Sequence, residues 1–213
     1  NEQRQPVVLV KHVSPEMSRN PSQKANLALV ALGANLPSSA GSPPESLRFA
    51  LKKLSQLPQV VPVAFSRFWF TPAFPAGSGP EYVNAAASFR CTLPPEQLLR
   101  ELHEIEAELG RRRDGGRWQS RGLDLDLLAH GDLVLPDAAV QDHWRRLPPQ
   151  DQALRAPPHL ILPHPRMQDR GFVLAPLAEI APNWVHPRLG LSVAQMLAAL
   201  PPQALAGMRP ASA

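Results

Sequence analysis

Apolar residues recur along the chain in two spacings, one typical of buried strands and one typical of amphipathic helices. The first apolar run, Leu27 to Leu32, is continuous and ends at Gly33 to Asn35, which predicts a buried strand that leads into a tight turn. After Pro43, leucine and alanine repeat at helical spacing over residues 45–57, and Pro58 follows. We therefore predict a strand and then a helix in this part of the chain.

The same two spacings continue to residue 128. Val60 to Phe70 and Tyr82 to Thr92 are rich in valine, phenylalanine and alanine and predict two strands. Pro95 opens a second helix, and its apolar positions lie three or four residues apart: Leu98, Leu102, Ile105 and Leu109. Leu123 to Leu128 predicts a further strand. The order β-α-β-β-α-β predicts an α+β fold of the ferredoxin-like type, with helices covering one face of an antiparallel sheet.

The remaining segments have weaker patterns. Residues 1–25 are polar and carry several prolines without periodicity, so we expect a flexible N-terminal extension. One domain is expected over residues 26–200, followed by a flexible tail over residues 201–213. Within this domain we predict a short strand over 131–135, an insertion loop over 137–158, and additional C-terminal helices near 172–180 and 192–200.

The composition is that of a soluble globular protein. Of 213 residues, 44% are hydrophobic and 19% are charged, and the net charge is +4. This modest excess fits an anionic partner without separating a nucleotide from a nucleic acid. The single cysteine, Cys91, excludes an intramolecular disulfide and is expected to be a small buried strand residue. We expect a cytoplasmic protein, because the apolar run from Val7 to Val10 is too short for a secretory core or a membrane span.

Two aspartates near the end of the predicted core are spaced for metal binding. In an extended strand Leu123, Leu125 and Leu127 face one side, while Asp124 and Asp126 share the other, roughly 7 Å apart at about 3.3 Å per residue. Two carboxylates with room for water and phosphate oxygens suit Mg²⁺ better than zinc, which prefers histidine or cysteine. The alternative is a solvated strand face without a metal.

The segment before these aspartates is rich in arginine. It contains Arg111, Arg112, Arg113, Arg117 and Arg121 together with Gly115-Gly116 and Trp118. Guanidinium groups bind phosphate through paired donors, so this segment beside a metal pair is a candidate polyphosphate clamp. We expect the loop to be open in the free protein and to close when nucleotide and Mg²⁺ neutralise the arginines.

Several motifs together resemble a known family. They are RWQSRGLDLDLL at 117–128, LPHPRMQDRGFVLAPLAEIAP at 162–182, GAN at 33–35, FTP at 70–72 and EYVNAA at 81–86. In this order and spacing they resemble the 6-hydroxymethyl-7,8-dihydropterin pyrophosphokinases of folate biosynthesis, over about residues 26–200. The resemblance implies a ferredoxin-like fold and transfer of the pyrophosphoryl group of ATP to the hydroxymethyl oxygen of the pterin.

The resemblance also implies roles for individual residues. Two Mg²⁺ ions would be bound by Asp124 and Asp126, with ATP as co-substrate. Catalytic roles fall on Arg111, Arg121 and Asp126. Nucleotide contacts fall on Arg111, Arg113, Trp118, Arg121, His164 and Arg170. Pterin contacts fall on Thr71, Pro72, Tyr82, Asn84 and Phe172, with the two aromatic rings on either side of the pterin. We expect Asn35 to be structural, in a left-handed turn.

The chain departs from the family pattern at a few positions. Gln119-Ser120 and Gly122 stand where the family usually has Gly-Pro and Thr, Ala34 replaces the usual Ser, and Pro165 replaces the usual aromatic residue. The 137–158 insertion is also longer than usual. These departures affect loop stiffness and nucleotide contacts rather than the aspartate pair.

Two other classes of function compete with this interpretation. A ferredoxin-like RNA-binding module would carry exposed aromatic residues on its central strands, where this chain has alanines and aspartates. A metal-dependent nucleotidyltransferase would use the same aspartates but release pyrophosphate instead of AMP. We therefore expect the partners to be small molecules, ATP and the pterin, with no nucleic acid and no membrane, and a monomeric protein.

Overall fold

The computed structural model describes residues 24–73, 79–110 and 122–211. The strands in this part are β1 Asn26–Ala34, β2 Val60–Phe65, β3 Trp69–Thr71, β4 Tyr82–Cys91, β5 Asp124–His130 and β6 Arg209–Pro210. The α-helices are α1 Pro43–Gln56, α2 Pro95–Glu108, α3 Ala138–Arg146, α4 Pro149–Leu154, α5 Gly171–Ile180 and α6 Val193–Ala198. Two 3-10 helices span Met167–Asp169 and Pro202–Leu205.

The strands form one antiparallel sheet in the order β5-β1-β4-β3-β6. Strand β2 also pairs with β4, along residues 87–91, whereas β3 pairs with residues 82–84 of the same strand. The central strand β1 pairs with β4 along its whole length and with β5 on its other side. The predicted combination of an antiparallel sheet with several helices is confirmed.

Helices cover both faces of this sheet, whereas the fold prediction placed them on one. Ala28, Val30 and Leu32 of β1 belong to the core beneath α1 and α2. Leu29 belongs to a second core with α5 and α6. Because β1 is covered on both sides, its sequence is a continuous apolar run instead of an alternating one.

The first two helices confirm their predicted spacing. Pro43 occupies the first turn of α1, and the Glu45 carboxylate accepts a 2.6 Å hydrogen bond from the Ser42 backbone N–H. This hydrogen bond satisfies one of the free N–H groups at the helix start. Leu54 in α1 and Leu102 in α2 are fully buried. Both helices have 14 residues, and no helix in the described ranges is long and apolar enough to cross a membrane.

Three connections differ from the prediction. The strand expected over Val60 to Phe70 is divided into β2 and β3, and in place of the strand expected over 131–135 Leu135 forms an isolated bridge with Leu162. The 137–158 insertion contains α3 and α4. Asp137 caps α3 by accepting from the Val140 N–H at 2.9 Å. The buried residue on α3 is Gln141, so this helix has no apolar stripe from which periodicity would predict it.

The insertion is attached to the domain by polar contacts. Asp142 on α3 accepts hydrogen bonds from Arg188 at 2.7 Å and from Arg145 at 2.8 Å. These guanidinium groups, Arg188 foremost, hold the pKa of Asp142 well below its usual range. The Gln141 side chain donates to the Pro163 carbonyl at 3.1 Å. These contacts join α3 to the loop at residues 186–190, far away in the chain.

Residues 201–211, part of the segment predicted as a flexible tail over 201–213, contain a 3-10 helix and strand β6. The 3-10 helix Pro202–Leu205 lies over the start of α5, and β6 extends the sheet beside β3. Arg209 binds Glu81 through two hydrogen bonds of 2.6 and 2.8 Å. The apolar residues of this segment follow neither helical nor strand spacing. Its position depends on backbone pairing and an ion pair, which hydrophobic periodicity does not predict.

We predict that Gly171→Ala lowers the free energy of unfolding. A Cβ at this position would overlap the Ala204 carbonyl and lie within 2.9 Å of the Leu205 side chain. Alanine normally stabilises a helix by up to about 1 kcal/mol relative to glycine, whereas overpacking costs about 1–3 kcal/mol, so the net change should be destabilising. Urea denaturation measures it. The same substitution in a chain shortened after Pro201 should instead stabilise, and equal stability of Gly171→Ala and parent in the full chain would contradict the packing.

Candidate active site

Three neighbouring strands place a carboxylate and an amide on one face of the sheet. Gly33 in β1 lies directly opposite Asn84 in β4 and directly opposite Asp124 in β5. Directly opposed residues of antiparallel strands project to the same face. At a strand spacing of about 4.8 Å, Asp124 and Asn84 are roughly 10 Å apart across the sheet, with the glycine between them.

The aspartate pair has the predicted orientation. Leu125 and Leu127 of β5 are buried in the core under α1 and α2, while Asp124 and Asp126 are half-buried on the opposite face. Ala31 lies opposite Asp126 in β1. The β1 residues that face the two carboxylates, Gly33 and Ala31, are both small.

A buried carboxylate supports β5 from the other face. Glu106 on α2 is 1% exposed and accepts a 2.8 Å hydrogen bond from the Leu125 N–H. Leu125 is the residue between the two aspartates, so this bond fixes the backbone from which both carboxylates project. The sequence prediction missed Glu106. The one feature of the sequence that could have indicated Glu106 is that this charged residue follows Ile105, on the apolar face of the predicted second helix.

His164 lies beside the aspartates as a neutral ring. Its backbone N–H donates to the Leu128 carbonyl of β5 at 2.8 Å. Although part of the residue remains accessible, burial of the imidazole lowers the pKa of His164 to about 3, with Arg170 and Arg166 contributing and Asp124 opposing. The ring Nδ1 accepts from the Arg166 N–H at 3.2 Å. The ring proton therefore resides on Nε2, which can donate to a ligand oxygen.

Arg170 connects the carboxylates with the aromatic part of the site. It immediately precedes α5, and its Nη1 lies 3.9 Å from Asp126 Oδ2. The same guanidinium lies 5.5 Å from the centre of the Phe172 ring. A cation in this position can bind an anion next to the aspartates and also orient the ring.

The predicted pterin residues lie on the same face as the aspartates. The Asn84 amide donates to Thr71 Oγ1 at 2.8 Å, and both residues are 5% exposed. Tyr82 faces the same side as Asn84, two residues away on β4. Tyr82 and Phe172 are large aromatic residues with 38% and 40% of their surface exposed. Both rings are therefore accessible to a ligand.

Gly33 has a steric role in this arrangement. A Cβ at residue 33 would lie 2.9 Å from the Asn84 side-chain oxygen, closer than real Cβ contacts come. The glycine therefore leaves the space that the amide occupies. Pro72, the other predicted pterin residue, lies near Gly207 of the C-terminal segment, where a Cβ would come within 2.8 Å of its ring.

Asn35 differs from its predicted role. Among the described residues no residue other than glycine has a positive φ, so Asn35 is not in a left-handed turn. It is 7% exposed, and its side-chain oxygen has no hydrogen-bond partner within the described ranges. A buried acceptor without a partner costs about 1–3 kcal/mol, so this oxygen at the end of β1 is a further candidate for ligand contact.

The predicted loop residues lie outside the described residues. They are Arg111, Arg113, Trp118 and Arg121. The described side chains alone nevertheless form three adjoining parts: a carboxylate pair, a cationic group, and an amide beside exposed aromatic rings. Such a combination suits a ligand with a polyphosphate and a flat heterocycle.

Comparison with known proteins assigns residues 29–182 to the family described as 7,8-dihydro-6-hydroxymethylpterin-pyrophosphokinase (HPPK). A 2-amino-4-hydroxy-6-hydroxymethyldihydropteridine pyrophosphokinase of Synechocystis sp. is 35% identical over 82% of this chain and 76% of its own. The corresponding protein of Haemophilus influenzae is 37% identical over 75% of this chain and 84% of its own.

Solved structures agree in fold. Wild-type HPPK-DHPS of Plasmodium falciparum superposes with a TM-score of 0.54 at 13% identity and covers 84% of this chain. Our chain spans 45% of that longer chain. At this identity the likeness concerns the fold alone.

We predict that His164 stays neutral in the ligand-free protein down to about pH 4, with its proton on Nε2. Because burial depresses the folded-state pKa from 6.5 to about 3, the unfolded chain binds a proton in this range that the folded chain does not, and stability falls as pH falls from 6.5 towards 3. Nitrogen NMR of the imidazole reports both tautomer and titration. In His164→Asn the stability should depend less steeply on pH, and a ring that titrates near pH 6 would refute this environment.

Proposed function

The chain belongs to the 7,8-dihydro-6-hydroxymethylpterin-pyrophosphokinase family, and from this premise we propose which of its side chains carry the reaction. The family transfers the pyrophosphoryl group of ATP to hydroxymethyldihydropterin in folate biosynthesis, and this chain has that activity. The observation that carries the assignment is the row of Asp124, Gly33 and Asn84 across three strands. It supports a metal-bound polyphosphate and a pterin lying side by side on one face.

The donor set fits Mg²⁺. Asp124 and Asp126 offer only oxygen, and within the described ranges no group of three or more histidine, cysteine or acidic side chains is placed to hold a metal ion by itself. Mg²⁺ retains several waters and is commonly bound by one or two carboxylates plus substrate phosphates. When bound, it would neutralise phosphate charge and activate the acceptor hydroxyl. We propose two ions held by this pair.

The reaction forms one bond and breaks one. The hydroxymethyl oxygen of the pterin attacks the β-phosphorus of ATP, the bond from that phosphorus to the oxygen bridging the α-phosphorus breaks, and AMP leaves. The hydroxyl proton passes to a nearby acceptor, for which Asp126 is our candidate. Such transfers depend on positioning and charge stabilisation and require no protein nucleophile.

Cationic and hydrogen-bonding side chains would hold the triphosphate. Arg170 lies next to Asp126, and the His164 Nε2–H is a neutral donor. From the resemblance we add Arg111, Arg113 and Arg121 of the loop, with Arg111 and Arg121 acting near the transition state. Trp118 of the same loop would cover the nucleotide and exclude water.

The pterin would occupy the part of the face next to Asn84. Its flat ring suits a position between Tyr82 and Phe172. Its donor and acceptor edge suits the Asn84 amide and the backbone of Thr71 and Pro72. The contact between Asn84 and Thr71 supports this role, because it fixes the amide before the ligand arrives.

Other features of the protein follow from the same assignment. We propose a ferredoxin-like core, supported by the strand order β5-β1-β4 and the antiparallel pairing of β2 with β4. A monomer is supported because Asp124, Asn84 and Phe172 come together within one chain. A cytoplasmic setting is supported by buried Cys91, a free thiol, and by ATP as co-substrate.

We predict pterin-dependent release of AMP from ATP and Mg²⁺. Separation of the nucleotide products by chromatography tests it, with a reaction lacking pterin as control. Pyrophosphate release with nucleotide attached to the acceptor would instead identify a nucleotidyltransferase, and AMP formation indifferent to the pterin would rule out the proposed acceptor.

We predict that Asp124→Ala and Asp126→Ala each lower turnover by at least about 100-fold, because a single electrostatic contact to a transition state is worth about 10²- to 10³-fold. Pterin affinity of the nucleotide-free protein should change little, since neither carboxylate belongs to the proposed ring pocket. Asp132→Ala, at an exposed aspartate just after β5, is the matched control. Turnover near the parent value in both variants would leave the pair without a catalytic role.

A further inference from the structure

Arg166 lies in the chain between His164 and Arg170 of the proposed nucleotide site, and the function proposed above gives it no role. Its guanidinium Nη2 donates to the backbone carbonyl of Gln152 in α4, 14 residues earlier in the chain. Its backbone N–H donates to His164 Nδ1 at 3.2 Å. One residue therefore connects the insertion to the histidine beside the aspartate pair.

The insertion presents that carbonyl from a supported position. The Gln152 side chain donates to the Leu147 carbonyl at 2.6 Å, and its backbone N–H donates to the Pro148 carbonyl at 3.0 Å. The contacts of Gln141 with Pro163 and of Asp142 with Arg188 attach the preceding helix to the domain. The Gln152 carbonyl is thus fixed by contacts within the insertion, and the insertion itself is fixed to the domain through α3.

Arg166 lies near a second cation, Arg170. Burial and the nearby Arg170 guanidinium lower the pKa of Arg166. Within the described residues, Arg166 has no carboxylate partner within 4 Å, and Arg170 is 3.9 Å from Asp126. A guanidinium has five N–H donors, and the bond to Gln152 uses one. Two neighbouring cations with spare donors are stabilised by an anion that both contact.

We propose that Arg166 binds the triphosphate of the nucleotide together with Arg170, and that α4 positions it through the Gln152 carbonyl. This inference rests on the proposed function of the site and adds a residue to it. It also gives the 137–158 insertion a role: the insertion orients a phosphate-binding side chain without touching the substrate.

Arg166→Gln tests the phosphate contact. We expect the KM for ATP to rise about 10- to 100-fold, which corresponds to the loss of one hydrogen bond to a charged group. The dissociation constant of α,β-methylene-ATP, in which a methylene group replaces the bridging oxygen of the bond that breaks, should rise by the same factor. Pterin affinity should stay within about twofold, and Arg166→Lys should recover part of the loss. Arg155→Gln, at an exposed arginine just after α4, is the matched control. ATP affinity equal to that of the control would overturn the contact.

A double-mutant cycle tests the role of α4. Gln152→Pro removes the N–H bond to Pro148 and displaces the carbonyl, whereas Gln152→Ala removes only the side-chain bond to Leu147 and measures that contribution separately. We expect Gln152→Pro to weaken ATP binding in the parent but to add less than about twofold in Arg166→Gln, since both changes remove one interaction. Additive losses would overturn the positioning role. Absence of pterin-dependent AMP formation in the parent would instead refute the proposed function.

Discussion

The antiparallel register of β1 between β4 and β5 is the constraint on which the candidate site depends. It places Gly33 opposite both Asn84 and Asp124, so the amide proposed to bind the pterin and a carboxylate proposed to bind metal share one face at a separation of two strands. A shift of one residue would turn either side chain into the opposite core. The alternation in β5 opposes that shift, because a slip of one residue would turn Asp124 and Asp126 into the apolar core that now holds Leu125 and Leu127.

Buried polar contacts then stabilise the site from behind. Glu106 binds the backbone between the two aspartates, and His164 is tied to β5 through Leu128. Neither contact requires a ligand. Preorganised donors and charges of this kind accelerate reactions because they need little rearrangement when charge develops. Because the pKa of His164 is low, its ring stays a neutral hydrogen-bond donor over the physiological range of pH and needs no change of protonation to bind a ligand oxygen.

Segments outside the core complete the surroundings of the site. The insertion is joined to the domain by ion pairs and backbone carbonyls, and the C-terminal segment docks on Gly171 and β3. Both lie in sequence that contains few periodic apolar residues. Their position is specified by polar partners distant in the chain, which is why we predicted a loop and a tail where the structure has helices and a strand.

The sequence by itself determined the strands and helices of the core, the family motifs and the orientation of Asp124 and Asp126, because hydrophobic periodicity is a local property that each segment carries alone. Tertiary structure decided which residues became neighbours. It gave Asn35 a backbone conformation other than a left-handed turn, placed Glu106 against the backbone of β5, and joined Arg166 to His164 and to α4. A single polar residue has no periodicity, so its role is decided only when strand register and helix packing supply its hydrogen-bond partner.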